Sequence, residues 1–135
     1  MDGLPNIITT RPSTRIYFPR SAPSGRRKDD GKHVTSFGFG YVNEAGRRGF
    51  EREPFSFQVG TVIVRERRWA ASADPDRLVV MIKREKSFNR KANGWEFLTV
   101  SGAGTMILKR EKDGKCLKCH ASAAASDFVF PMEKR

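Results

Sequence analysis

Cys116-Leu117-Lys118-Cys119-His120 constrains this chain more than any other feature, because it uses both cysteines of the 135-residue sequence and one of its two histidines. Cysteines three apart share one face of a single helical turn. Both thiols can then reach the two vinyl groups along one edge of a porphyrin, and the next residue brings an imidazole under the iron. Random placement of these residues would give the pattern on the order of once in several thousand such chains, so chance is a poor account of it. The motif is that of c-type haem attachment, with His120 as the iron ligand. A structural zinc site would need a fourth ligand, and the other histidine, His33, stands alone in a basic, glycine-containing stretch. A redox CxxC usually opens a helix after a strand in a βαβ unit, which is not visible here. A disulfide closed over so short a span is geometrically awkward.

The rest of the composition fits one modest domain built around such a group. Hydrophobic residues make up only 38% of the chain and charged residues 30%, and a bound porphyrin supplies apolar surface that the chain itself lacks. The net charge is +11, carried in short clusters: Arg26-Arg27-Lys28, Arg47-Arg48, Arg65 to Arg68, Lys83-Arg84, Arg90-Lys91 and Lys109 to Lys118. Acids lie between the clusters, and no zinc finger, helix-turn-helix or aromatic RNA-binding motif accompanies them. The clusters therefore read first as solvated basic surface, second as a face that steers an acidic redox partner, and not as a nucleic-acid site. No run of apolar residues is long enough to span a membrane. The N-terminus has no basic stretch followed by an apolar one, as an export signal would. Thioether formation takes place on exported chains, so the expectation is a periplasmic or otherwise exported protein, here in a mature or truncated form.

Residues 1–33 read as an irregular basic arm punctuated by Pro5, Pro12, Pro19 and Pro23, in which only Ile16-Tyr17-Phe18 looks able to dock. Residues 34–135 read as the haem domain. Strands are expected over 34–42, 60–67, 78–85, 95–100 and 103–109, from period-two alternation and β-branched content. On the third of these, Leu78, Val80 and Ile82 should share one face and Val79, Met81 and Lys83 the other. Asn43 is placed to cap a helical turn that Gly49 would end. Asn93-Gly94 marks a turn, and Ser101-Gly102 a tight hairpin. The one convincing helix carries the motif and runs on into Ala121–Ala125. The fold class is mainly β (α+β): an antiparallel sheet of four to five strands with a short C-terminal haem-attachment helix. Helical electron-transfer cytochromes typically carry the motif near the N-terminus, and a four-helix bundle would need helical periodicity where this chain shows strands.

A C-terminal CxxCH on a strand-rich scaffold resembles the cytochrome P460 family, which includes the β-sheet cytochromes called c′-beta. The residues that carry the resemblance are Tyr41-Val42-Asn43, Gly60 to Glu66, Val80-Met81-Ile82-Lys83, Gly94-Trp95-Glu96-Phe97, and Cys116 to His120 followed by Asp127-Phe128-Val129-Phe130. It implies a homodimer with one covalently attached haem c per chain and a five-coordinate iron whose open side is lined by apolar residues. Family members of the P460 branch oxidise hydroxylamine, and their haem carries an extra cross-link from a lysine. The corresponding position here is Arg65, whose guanidinium stays protonated and is a poor nucleophile. The resemblance thus points to the c′-beta branch, binding nitric oxide or a related small nitrogen ligand, with hydroxylamine oxidation as the alternative enzyme reading.

Other side chains have candidate roles. Glu111 or Asp113, just before the motif, could act as a general base in the enzyme reading, or simply belong to a solvated turn. Arg65 could pair with a haem propionate. Met81, Met106 or Met132 could be a sixth ligand in an electron carrier, though core filler is the commoner use of methionine. Phe37, Phe39, Phe55 and Phe57 could wall the ligand side, and Trp95 reads as core.

Overall fold

The computed structural model describes residues 14–17, 39–67 and 74–130. Six strands form one antiparallel meander: β1 (Thr14–Tyr17), β2 (Phe39–Val42), β3 (Val62–Arg67), β4 (Arg77–Lys83), β5 (Trp95–Ser101) and β6 (Ile107–Glu111), each beside its neighbour in the chain. Among the described residues, two short α-helices, α1 (Glu44–Arg47) and α2 (Lys115–His120), and several 3-10 turns accompany the sheet. The mainly β expectation is what the chain adopts. A sixth strand, β1, comes from the segment read as an irregular arm and pairs with β2.

Alternation decides the two faces. Val42, Ile63, Met81 and Phe97 are successive cross-strand partners, and the row ends on Glu111. This face carries the larger cluster, in which Phe50, Phe55, Phe57, Trp95, Leu117 and Val129 pack onto the sheet. Phe57 is edge-on to Phe50 (4.9 Å between centroids) and to Trp95 (5.8 Å), and Trp95 is fully buried, as expected. The opposite face gathers Val62, Val64, Leu78, Val80, Ile82, Leu98 and Val100. Fully burying one such side chain contributes ~1.5–3 kcal/mol.

Local signals held in part. Asn43 caps α1, its Oδ1 accepting from Gly46 N, and the same oxygen accepts from Val62 N at 3.0 Å. Gly49 does not end that turn. It lies inside a 3-10 continuation, Arg48–Phe50, where a Cβ would collide with the Phe57 ring. Asn93 and Gly94 both have positive φ, as the expected turn requires. The Ser101-Gly102 hairpin is longer than expected, because the Ser101 hydroxyl accepts from both Thr105 N and Met106 N and so stabilises a wide loop. β6 therefore starts at Ile107, and Met106 is 60% exposed rather than part of an apolar strand. Lys83, read with Arg84 as solvated basic surface, is buried.

Glu96 shows how the second face tolerates charge. It is buried, yet Arg84 and Arg110 both donate to its carboxylate, at 2.9 Å each. Burial alone would raise its pKa, but the hydrogen bonds and charges of the two arginines win and hold it below its ordinary value of 4.5. A depressed folded-state pKa contributes stability above the unfolded value that is lost as pH falls through the folded one. The stability advantage of the parent over Glu96→Gln should therefore be full at neutral pH and shrink below about pH 4.5, as read by urea unfolding at a series of pH values; a constant difference would refute it. Among the described residues, no helix is long and apolar enough to cross a membrane.

Candidate functional site

The site is built where β6 runs into the motif helix. β6 ends at Glu111, the chain bends through Lys112–Gly114, and α2 begins at Lys115. A side chain at Gly114 would strike the Glu111 carboxylate, so glycine permits the close return. Glu111 Oε1 lies 3.4 Å from Cys116 N, a weak contact with one of the amides left open at a helix start. Leu117 is buried in the core and fixes the roll of α2. Cys116 is half-buried and Cys119 exposed. Burial, with Glu111 adding to it, pushes the Cys116 thiol up to about 11, so it is protonated at neutral pH.

His120 ends α2 against the sheet. Its ring lies between Phe97 (5.5 Å) and Phe130 (4.9 Å). Nδ1 is 2.7 Å from the Phe128 carbonyl. A carbonyl only accepts, so Nδ1 carries the proton and Nε2 keeps the lone pair that a metal requires. Burial holds the imidazole below its ordinary pKa, the Phe128 bond opposes this, and the charge of Arg65 adds to it. The ring is therefore neutral at pH 7, as an iron ligand must be.

Beside the ring is a cleft lined by Ile63, Arg65, Val79, Met81, Val129 and Phe130. The strand register explains it: Ile63 pairs with Met81 and Arg65 with Val79, so all four project to the same face. Burial lowers the Arg65 pKa and the charge of Arg67 adds to this, yet a guanidinium remains a cation in such surroundings. Phe130 is 38% exposed, an uncovered apolar flank beside the imidazole. Two thiols on one helical face, a neutral imidazole presenting one nitrogen, and a mostly apolar cleft with one cation form a donor set and surface that suit a haem with acidic propionates.

Other sequence candidates are placed differently. Asp113 is exposed and pairs with Lys91 at 2.8 Å. Lys112 lies over the Phe88 ring, its Nζ 4.2 Å from the centroid. Glu111 is half-buried and pairs with Lys109 at 3.2 Å. Met81 reaches the cleft, Met106 is exposed on its loop, and Phe55 and Phe57 build the core instead of the cleft. Met132 and Phe37, and the side chain of Phe39, lie outside the described residues.

The sequence profile of cytochrome P460 matches residues 22–131. The chain belongs to the cytochrome P460 family. No curated protein matches it closely enough to count as a relative. Family membership makes the chain a c-type haem protein of the cytochrome P460 type.

In this cytochrome P460, the far side of the motif is held by buried polar contacts among residues that the sequence shows only singly, as a turn, as core or in the segments that carry the resemblance. Asp127 is buried and accepts from Lys83 Nζ at 2.7 and 2.9 Å, Phe57 N at 2.9 Å, Asn93 Nδ2 at 2.9 Å and Trp95 Nε1 at 3.2 Å. The Lys83 ammonium also lies 4.8 Å from the Trp95 ring centroid. Asn89 donates to Trp95 O and to Lys112 O, tying the start of β5 to the bend before the motif. One signal was available: Lys83 follows Met81 by two on an inward-facing strand position.

Proposed function

We propose that Cys116 and Cys119 hold one haem per chain through thioether bonds, that His120 is the proximal iron ligand, and that the protein binds nitric oxide or a related small nitrogen ligand. The haem would supply the iron at which such a ligand binds. The protein residues supply the rest: His120 offers Nε2 while Phe128 holds Nδ1, and Ile63, Val79, Met81, Val129 and Phe130 offer an apolar wall that keeps water away. Arg65 is the observation that carries the reading. It lines the cleft beside His120 at the position where the P460 branch is expected to have its cross-linking lysine, and a guanidinium is a poor nucleophile. An unmodified haem favours ligand binding over hydroxylamine oxidation. Arg65 also suits a propionate, to which it can donate two parallel hydrogen bonds. The basic surface and the family resemblance support an exported homodimer that meets an acidic redox partner.

Met81 supports a second reading, an electron carrier, because it lines the same cleft as the imidazole. The absorption spectrum of the reduced protein separates the readings. The expected result is a high-spin, unmodified haem c spectrum that changes on adding nitric oxide. A strongly red-shifted Soret band would reveal a cross-linked haem and favour hydroxylamine oxidation, and a low-spin spectrum would favour Met81 as sixth ligand. Sustained nitrous oxide formation from hydroxylamine with an electron acceptor would overturn the binding-only reading.

A further inference from the structure

We propose that Asp127, clamped by Lys83, is a positioning residue for the His120 imidazole, acting through the backbone carbonyl of Phe128. This rests on the reading of His120 as iron ligand and adds what sets that ligand's orientation and basicity.

The chain between His120 and Phe128 is a short 3-10 stretch, Ala121–Ser126, that must reverse to bring a carbonyl back onto the ring. The reversal uses two consecutive residues with positive φ, Asp127 (57°) and Phe128 (65°), neither of them glycine. Aspartate tolerates the left-handed region, whereas a bulky aromatic there is a genuine outlier that surrounding contacts must enforce. The backbone supplies part of the enforcement: Phe128 N donates to Ala123 O at 2.9 Å and Asp127 N to Ala124 O at 3.1 Å. The rest comes through Asp127, whose carbonyl accepts from Trp95 Nε1 at 2.7 Å. Its carboxylate collects Lys83 on β4, Phe57 N in the loop before β3, Asn93 in the turn and Trp95 on β5. Four separate parts of the sheet layer thus lock the residue immediately before Phe128.

The product of this arrangement is one bond, His120 Nδ1 to Phe128 O at 2.7 Å. In metal-ligating histidines, the partner of the second ring nitrogen fixes the tautomer and ring orientation and raises the basicity of the ligating nitrogen. An unstrained turn would need no such clamp. A buried ion pair is also weak evidence for stability as such, so its place one residue from the ligand's partner suggests a specific task.

The test is resonance Raman spectroscopy and potentiometry of the holoprotein. Asp127→Asn keeps the shape and the left-handed tolerance but loses the charge. It should shift the iron–histidine stretching band of the reduced protein to lower frequency and raise the reduction potential, because the Phe128 carbonyl is held less firmly. If burial of an unpaired Lys83 prevents folding, Lys83→Met with Asp127→Asn removes both charges and should give the same shifts. Lys91→Ala, which breaks only the exposed pair with Asp113, should leave band and potential at the parent values. Folded holo variants of Asp127 with the parent band and potential overturn the proposal, even if they melt earlier. A His120→Gly control that keeps the parent band would instead refute His120 as the ligand, a separate failure.

Discussion

Changing both Cys116 and Cys119 to serine is expected to remove all covalently held haem from the protein. Expressed with export and haem-maturation machinery, the parent should give a haem-staining band on a denaturing gel, and the double variant none. The argument is geometric: the two sulfurs share one face of α2, beside the only imidazole in the motif. Each single variant keeps one thioether and should stain, with a shifted pyridine haemochrome band from the remaining vinyl group. Loss should also reach stability. A group that binds only the folded chain stabilises it, and here it would cover Phe130 and the cleft walls. Covalent haem in the double variant would defeat the assignment of the cysteines.

How much of this could be read from the sequence depended on the range of the signal. The motif is five residues long and its spacing is its chemistry, so it was legible without a fold. Strands β3, β4 and β5 were legible because alternation is local; Val80 and Leu98 turn to one face, Met81 and Phe97 to the other. The Ser101 loop was not, because a serine hydroxyl standing in for ladder partners leaves no mark on hydrophobic period. Asp113 could have entered a pocket or faced water, and only the distance to Lys91 separates these. The clamp on Asp127 was hardest. It joins Phe57, Lys83, Asn93 and Trp95 to a residue up to 70 positions away, and composition treats lysine and aspartate as surface residues. Lys83 beside Arg84 looked like one basic patch, yet alternation sends their side chains to different environments: Lys83 into the core, Arg84 onto Glu96.

That clamp carries the largest stability effect expected in the fold. Lys83→Met should lower the unfolding free energy by ~3–5 kcal/mol, because it leaves a buried carboxylate without its counter-charge. The two side chains are only 6% and 5% exposed, so water cannot take over the solvation that Lys83 provides. Adding Asp127→Asn in the same chain should not double the loss. The carboxylate that needed neutralising is then gone, while an amide can still accept from Asn93, Trp95 or Phe57. A loss in the double variant that falls short of the sum of the two single losses by ~0.5–3 kcal/mol is the signature of direct coupling. Urea unfolding of the parent, both single variants and the double variant measures this, provided the slope with denaturant is unchanged. Lys91→Ala provides the contrast, since its pair is 71% and 60% exposed and should contribute ~0–1 kcal/mol. If Lys83→Met were as mild as Lys91→Ala, the burial of the pair would have no energetic consequence, and Asp127 would be held by its neutral donors alone.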